Sequence, residues 1–599
     1  MTAQELYDRG VQLHGQGRFE EAEAAYRQAL ALAPTLATAH NNLGVLLRRA
    51  GRPAEAEAAY RAALQHEPGY ASAWSNLGNL LGSTGRAHEG VQAQRKAVAC
   101  DPNHGNAWNN LGNLLQGLQG HAEAEAAYRK AIELRPTDAH PRSNLGRLLA
   151  ALDRCEEAES CCRRAVELAP GQPEVHNTLG AVLQQGRRWR DAEACYRRAV
   201  EVDATHAGAW SNLGVVLREQ GRLEESETAF LRSLALDPRA AQAHSNYGVL
   251  LRYLGRWDDA ETEYRRAIEL DPADPSPRLN LSFLLLARGD YAAAWPLHEA
   301  RWHPRRKQSD TVPPKSVAYP CWRGEPLRGR SIAIWPEQGI GDAIQFVRFA
   351  AALKDRGASQ VTLATRPALG ELMETAAGVD RVVTRPSDLG PHDFWCFSMS
   401  LPLHLGTTLQ SLPGRLPYLA VPPRRRARWA GRLPGGRKVG LVWKGSQRHP
   451  NDAHRSLPGL AALAPLWSVP GITFVSLQKG AGEDEARQPP ASQPLLALGH
   501  ELDDLADAAA VLEQLDLVIC VDTAIAHLAG ALGKPVWVLL PEWATDWRWL
   551  RGRADSPWYP GVMRLFRQPV RGDWDSVVRE VTQALRGTAP VRPATAPPG

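Results

Sequence analysis

A single unit returns every 34 residues through the first half of the chain, and that period constrains the fold more than any other feature. Proline recurs at Pro34, Pro68, Pro102, Pro136, Pro170, Pro238 and Pro272, with Ala204 in the one interrupted slot. Small residues keep the same beat at Ala22, Ala56, Gly90, Ala124, Ala158, Ala192, Ser226 and Ala260, and again at Ala29, Ala63, Ala97, Ala131, Ala165, Ala199, Ser233 and Ala267. Each unit reads as two antiparallel helices. In the second, the spacing predicts one helix from about Leu36 to Ala50, with Leu43, Leu46 and Leu47 as an apolar stripe, and another from Pro53 to Glu67. Gly44 and Ala56 are small where the helices must approach, Tyr60 fills the space beside them, and Pro68 stops the second helix. One unit cannot bury its own stripe, so the copies must stack into a near one-dimensional solenoid.

These are the period and pattern of tetratricopeptide repeats. Eight copies and a capping helix predict an α-solenoid, a superhelical array over residues 1–302, with Glu299-Ala300-Arg301-Trp302 docking it on the next domain. One repeated position is not demanded by packing. Asparagine occurs at Asn42, Asn76, Asn110, Asn144, Asn212, Asn246 and Asn280, with Thr178 breaking the series. A side-chain amide both donates and accepts. A row of amides can therefore pair with the backbone of an extended peptide without reading its sequence, or each can bond within its own hairpin. The row resembles the superhelix of the O-linked N-acetylglucosamine transferases, and that resemblance implies a groove that grips acceptor polypeptide.

The pattern then changes. Residues 303–318, rich in Pro, Arg and Lys, read as a linker. Short β-branched runs at residues 331–335, 360–364 and 381–384 alternate with helical patterns, the first running from Asp342 to Lys354. A second such series has strands at 439–443, 473–477, 517–521 and 536–540. The arrangement predicts two Rossmann-like α/β modules with parallel sheets, at 319–421 and 438–586, joined by an Arg-, Gly- and Pro-rich hinge at 422–437. Residues 587–599, rich in Pro and Ala, are expected to be disordered. Two hinged modules of this kind resemble the GT-B architecture of nucleotide-sugar glycosyltransferases. In such folds ligands lie at the carboxyl ends of the strands.

Two motifs fall at such ends. Glu337-Gln338-Gly339-Ile340-Gly341-Asp342 follows the first strand. Gly339 and Gly341 let the backbone approach a ligand. Asp342 suits a general base for an acceptor hydroxyl, or equally a helix N-cap, with Glu337 as the reserve base. Asp522-Thr523-Ala524-Ile525-Ala526-His527 follows the strand at 517–521. There Thr523 can cap a helix whose N-terminus, with His527 one turn on, faces an anionic phosphate; a buried or surface histidine is the plainer reading. Lys444 and Lys479 sit at strand ends, as cleft cations or as solvated groups. The aromatic stretch Asp546-Trp547-Arg548-Trp549, with Trp558 and Tyr559 behind it, can stack a sugar or base, or plug a domain contact.

The two motifs resemble the heptosyltransferase family, which pairs a Gly-x-Gly-Asp loop with an Asp-Thr-x-x-x-His helix start. The resemblance implies Asp342 as base, Thr523, Ala524 and His527 as donor-phosphate contacts beside Asp522, and Arg455, ahead of Pro458, as a further phosphate ligand. An array joined to this half also looks like the bacterial proteins that O-glycosylate flagellin. That likeness implies transfer of a sugar from a nucleotide sugar to Ser or Thr of a recruited protein, with inversion.

The net charge of +5 over 599 residues gives no reason to expect a nucleic-acid partner, and the run Arg424-Arg425-Arg426 reads as solvated linker surface. The eight cysteines form no C-x-x-C pair, no apolar stretch is long enough to span a bilayer, and Met1 to Gly10 lacks a secretory pattern, so a cytoplasmic location is expected. No Asp-x-Asp cluster suggests a metal, and no cofactor is expected beyond the nucleotide sugar as co-substrate. Two other functions fit the same residues: a repeat scaffold whose GT-B half is inactive, and a transferase acting on glycans of lipopolysaccharide type.

Overall fold

The structure, a computed structural model, describes residues 1–304, 317, 319–447, 449 and 451–587. Most of the expected linker, and the expected tail apart from Gly587, lie outside the described residues. The chain forms two compact units, Met1–Asn246 and Tyr247–Gly599.

The first unit is a stack of helical hairpins, such as Ala37–Arg49 against Pro53–His66. The repeated glycine is fixed by the aromatic ring of its own hairpin. A Cβ on Gly44 would lie 2.6 Å from the Tyr60 ring, and the same clash recurs between Gly112 and Tyr128 at 2.5 Å and between Gly180 and Tyr196 at 2.7 Å. Where the ring is missing the contact is rebuilt, Gly78 meeting Gln94 and Gly146 meeting Cys162. The first helix of a hairpin ends in a left-handed residue, glycine at Gly51 (φ +71°) but Gln119, Asp153 and Arg187 at the equivalent places, with φ of 64°, 60° and 56°. A second periodic feature escaped the sequence reading. Arg52 bridges Glu23 of the preceding repeat (2.7 Å) and Glu55 of its own (2.5 Å), and Arg86, Arg154, Arg188 and Arg222 repeat the stitch.

The second unit begins inside the helix Ala241–Tyr253. The array therefore does not end as an independent body at residue 302. Its last helices, Trp257–Leu270, Pro275–Arg288 and Tyr291–His298, with the 3₁₀ turn Glu299–Trp302, share one compact unit with the α/β half. The indole of buried Trp295 donates to the Thr407 carbonyl (3.0 Å), and that of Trp558 donates to the Tyr291 hydroxyl (2.8 Å).

The α/β half contains two parallel sheets. The first has strands β1 (Ser331–Trp335), β2 (Gln360–Ala364), β3 (Arg381–Val383) and β4 (Phe394–Phe397) in the order β3-β2-β1-β4. The second has β5 (Arg437–Val442), β6 (Ile472–Ser476), β7 (Leu496–Ala497), β8 (Leu517–Val521), β9 (Val536–Leu540) and β10 (Met563–Arg567) in the order β10-β9-β8-β5-β6-β7. Both orders reverse once, between β1 and β4 and between β5 and β8. Each motif follows a strand at such a switch point, where a crevice opens beyond the strand ends. Strands β4, β7 and β10 were not anticipated. Two of them are very short, and β10 places exposed Arg564 between buried Met563 and Leu565.

Two local readings are corrected. The helix expected from Asp342 to Lys354 is two helices, Ile340–Phe346 and Phe349–Asp355, tightened at Val347, whose carbonyl accepts from Ala350. The Arg-rich hinge holds a helix, Pro423–Trp429, that docks on Leu505–Glu513. Arg425 binds Asp504 (2.8 Å) and Asp507 (3.2 Å), Arg426 binds Glu513 (2.7 Å), and the buried Trp429 indole donates to Asp507 (2.8 Å). Arg425 and Arg426 of this basic run are thus paired with facing carboxylates while Arg424 stays exposed, and Arg425 also reaches Glu371 of the first module at 2.9 Å.

Candidate active site

Gly339 is the N-cap of the helix Ile340–Phe346 and donates its N–H to Asp342 Oδ2 at 2.7 Å, so Asp342, the third residue of the helix, is not its N-cap but reaches back to satisfy it. Its other oxygen is bound by the Arg548 guanidinium from the opposite module. The glycines are set by this packing. A Cβ on Gly339 would lie 3.1 Å from Asp342 Oδ2, and one on Gly341 would lie 2.9 Å from His527 Cδ2. Gly341 is small so that the two motif helices, Ile340–Phe346 and Ala524–Ala531, can pack against each other. The two motifs, far apart in sequence, are therefore brought into direct contact.

On the other side of the cleft, Thr523 occupies the N-cap position of Ala524–Ala531 without capping it. Its Oγ1 is buried and has no hydrogen-bond partner. A hydroxyl in that state at an uncapped helix start is a vacant pair of hydrogen-bonding directions beside the positive end of the helix dipole. Arg455, on the short helix Asp452–Arg455, donates to the Asp522 carbonyl at 3.0 Å, which brings it to the same strand end. Burial pushes the Asp522 carboxyl up to about 6, and Asp546 nearby adds to the rise.

Arg548 is the residue the sequence reading missed. From the turn Trp547–Trp549 beyond β9 it donates Nε to Gln345 Oε1 (2.6 Å) and one terminal nitrogen to both oxygens of Asp546 (3.0 Å), besides its contact with Asp342. Burial alone would lower its ordinary value, but Asp342 and Asp546 hold it raised and charged. Three residues around the cleft carry left-handed backbone without being glycine: Gln338 (φ 55°), Ala544 (φ 53°) and Leu550 (φ 50°). Such strain persists only where packing enforces it, and it clusters at functional sites. The signal available in the sequence was a charge pair, Asp546 and Arg548, set inside an aromatic loop. That loop proves to be a docking plug: Trp547 packs edge-on against Tyr291, Trp295 and Trp558 with centroids 5.8–6.3 Å apart.

Other candidates are placed differently from expectation. Glu337 is not poised as a reserve base. It is buried, accepts from the Met399 N–H (2.9 Å), and is clamped by Arg301 at 2.8 and 3.2 Å, joining the array's terminal turn to the first sheet. Burial raises its carboxyl, against the pull of Arg301. His527 is buried, stacks on Trp549 (5.2 Å) and hydrogen-bonds the Tyr559 hydroxyl through Nδ1 (2.9 Å). Burial, with Arg548 next to it, pushes the ring down to about 3, so it is neutral and brings no charge to a phosphate. Lys444 is paired with Glu485 (2.7 Å), and Lys479 donates to the Leu502 carbonyl; neither is an open cleft cation. Among the described residues no three His, Cys, Asp or Glu side chains converge as a metal cage.

In the first unit most amides of the asparagine row donate to the preceding repeat, while Asn42, Asn144 and Asn246 also accept from neighbours on their own helices. Asn76 donates to Asn41 (2.9 Å), Asn110 to Ser75 (3.3 Å), Asn144 to Asn109 (3.0 Å) and Asn212 to Asn177 (2.9 Å), each to a residue 35 positions earlier. Asn42 donates to the Tyr7 hydroxyl in the same way, and Asn246 accepts from Gln242. Asn280 stands on Pro275–Arg288 in the second unit. The amides stay partly exposed, and Asn109, Asn113 and Asn144 line a concavity of about 600 Å³.

Helical repeats followed by two switch-point sheets whose motif helices meet have the architecture of a tetratricopeptide array and a GT-B-type α/β half. Comparison with known proteins agrees. Tetratricopeptide repeat families match residues 7–65, 42–105, 93–126, 120–182, 205–273 and 246–302, and glycosyltransferase family 9 (heptosyltransferase) matches residues 472–539. The chain is similar to protein FlbA of Caulobacter vibrioides, 30% identical over 330 residues, a match covering 51% of this chain and 54% of that protein. It thus spans about half the length of this relative. Similar solved structures are a tetratricopeptide repeat protein from Parabacteroides merdae (17% identity, 42% of this chain and 98% of that one, TM-score 0.37) and the tetratricopeptide protein YrrB (26% identity, 30% and 94%, TM-score 0.24). No helix among the described residues is long and apolar enough to cross a membrane.

Proposed function

We propose that this protein is an O-glycosyltransferase that moves a sugar from a nucleotide sugar to a Ser or Thr hydroxyl of a polypeptide presented by the array. The observation that carries the reading is the meeting of the two motif helices, with Asp342 on one side and Arg548 and the uncapped Thr523 on the other. The donor phosphate binds the free N–H groups at the start of Ala524–Ala531, takes a hydrogen bond from Thr523 Oγ1, and is flanked by Arg455. Asp342 removes the acceptor proton as the hydroxyl attacks the anomeric carbon in line, inverting it, and the leaving phosphate is stabilised by the helix start and the cations. Both carboxylate oxygens of Asp342 are engaged here, one by Arg548 and the other by the Gly339 N–H. Donor phosphate competes for Arg548 and so frees Asp342 when the donor is in place. No metal is required, since cations and helix dipoles supply the positive charge. The partly exposed amides, with the concavity beside Asn144, support a polypeptide acceptor, a flagellin being one such protein. The site of action is cytoplasmic, where nucleotide sugars are available.

A second reading, a scaffold with an inactive GT-B half, is favoured by one observation: Asp342, Lys444 and Lys479 are all engaged internally. Incubating the full chain with a panel of nucleotide sugars separates the two. Donor hydrolysis, together with a hexose- or nonulose-sized mass increase on a co-expressed acceptor protein, is expected. Neither signal with any donor would leave the scaffold.

A further inference from the structure

Where the last repeats meet the second sheet, a cavity of about 610 Å³ opens beyond the ends of β9 and β10. That size is in the usual range of ligand sites, about 300–1,000 Å³. Its walls are aromatic. Tyr253, Trp257 and Phe283 come from the repeat side and Trp543 from the loop after β9, with Trp543 stacked on Tyr253 at 4.2 Å.

Its charge is unbalanced. Arg252, Arg551 and Arg567 line it, against Glu542 and Asp546. Asp546 is already held by Arg548. Arg252 and Arg551 pair with no carboxylate among the described residues. They lie over rings instead, Arg252 at 5.6 Å from the Tyr253 centroid and Arg551 at 4.9 Å from that of Trp257. Arg567 is held by the carbonyls of Trp549 (2.8 Å) and Leu550 (2.7 Å) and, though burial brings it down to about 10, it stays cationic at neutral pH. Three guanidinium groups therefore face one uncommitted carboxylate, Glu542.

The helix that carries Asn280 also reaches the cavity. On the helix Pro275–Arg288, Asn280, Phe283 and Ala287 fall at i, i+3 and i+7 on one face, and the last two line the cavity. We infer that this cavity is a subsite for the acceptor polypeptide, which takes an acidic side chain from the segment carrying the hydroxyl to be modified. The guanidinium groups bind the carboxylate by charge-assisted hydrogen bonds, and the aromatic wall covers the apolar part of the same segment. The inference rests on the polypeptide-acceptor reading above.

The test uses the full chain and a fluorescein-labelled serine peptide with aspartates beside the serine. Control peptides carry asparagine or lysine in place of the aspartates. Binding is read by anisotropy at low and at physiological salt. The wild-type chain should prefer the aspartate peptide. Arg252→Glu with Arg551→Glu should weaken that peptide roughly tenfold or more while changing the asparagine peptide less than about twofold, and should improve binding of the lysine peptide. Arg252→Gln with Arg551→Gln should give an intermediate loss, and it decides the matter if the glutamate pair misfolds by circular dichroism. Asn280→Ala should weaken all three peptides alike. No charge preference in the wild type, with Asn280→Ala still weakening every peptide, overturns the subsite and leaves the polypeptide reading standing. Failure of every peptide to bind the wild type overturns both.

Discussion

Gly44 and Arg548 stand for the two halves of this molecule. Gly44 answers a ring in its own hairpin, and the same pair recurs down the array with small variations. Arg548 answers Asp342, 206 positions away, and Gln345, 203 away, and no second copy of that arrangement exists among the described residues. In the array a lost contact is one of many equivalent ones, so damage is local and graded. In the α/β half one side chain holds two carboxylates and joins two lobes, so its loss is felt at once. Stability in the first case is spread over repeats, and in the second it is concentrated where the chemistry is.

The sharpest way to break that contrast is Asp342→Asn. The substitution keeps the shape of the helix start but removes the base, so transfer should fall by roughly 10²–10⁴-fold, the usual worth of a general base. Peptide binding by the array should be unchanged. Intact-mass analysis of an acceptor and anisotropy of a bound peptide read the two outcomes separately, and transfer at the wild-type rate would remove Asp342 from the mechanism. Next in size is Arg548→Gln, which strands Asp342 and Asp546 without their common partner. Breaking a buried ion pair in this way costs about 3–5 kcal/mol. Urea unfolding followed by tryptophan fluorescence should show the transition of the second unit moving to lower urea. An equal movement of the array's helical signal would argue that the two halves unfold together.

Gly44→Ala probes the other side of the comparison. Its Cβ would meet the Tyr60 ring at 2.6 Å, an overpacking worth about 1–3 kcal/mol. Gly180→Ala against Tyr196 should cost nearly the same. In Gly44→Ala with Tyr60→Leu, most of the loss from the glycine change should disappear, since the ring that clashes is gone. Unequal costs at the two copies would show that the repeats are not interchangeable.

A smaller effect depends on pH. His527 is held down to about 3 in the folded chain, against an ordinary 6.5. Between those values the unfolded chain binds the proton and the folded chain does not, so stability is lost as pH falls below about 6.5. At pH 5.5 the loss from this one group is about 1.4 kcal/mol. His527→Gln should therefore lose less stability than wild type between pH 7.5 and 5.5, measured by the urea midpoint of the second unit, and parallel losses would rule out a buried neutral ring.

How much of this could be read from sequence follows the same division. The period placed the hairpins, the small residues and the amide row, because each position is tested many times along the chain. The parallel sheets were legible from β-branched runs, as was the place of each motif at a strand end. The partners of the site residues were not. Nothing near Lys479 in sequence announces the Leu502 carbonyl, nothing near Glu337 announces Arg301, and Gly341 looks like a ligand glycine until His527 is seen against it. Each of those contacts joins elements that only the fold brings together, and the groups most suited to bind a substrate are also those most easily taken by an internal partner.

The finest test of the contrast lies at Arg187. In most repeats the residue that ends the first helix is glycine, as at Gly51, Gly85 and Gly221, because its backbone is left-handed; at Arg187 the same conformation, φ 56°, is forced on a residue with a Cβ. Left-handed backbone costs an ordinary residue about 1–2 kcal/mol, part of which glycine gives back through the greater freedom of its unfolded chain. The Arg187 side chain is exposed and makes no hydrogen bond or ion pair among the described residues, so no interaction is lost with it. Arg187→Gly should then stabilise the array by about 0.5–1 kcal/mol, visible as a higher thermal midpoint of the helical signal. Asp153→Gly should gain less, because Asp153 Oδ1 accepts from Gln185 Nε2 of the next repeat (3.2 Å) and that bond would be lost. If Arg187→Gly instead destabilises, the arginine is held by more than its backbone, and that repeat is specialised in a way the others are not.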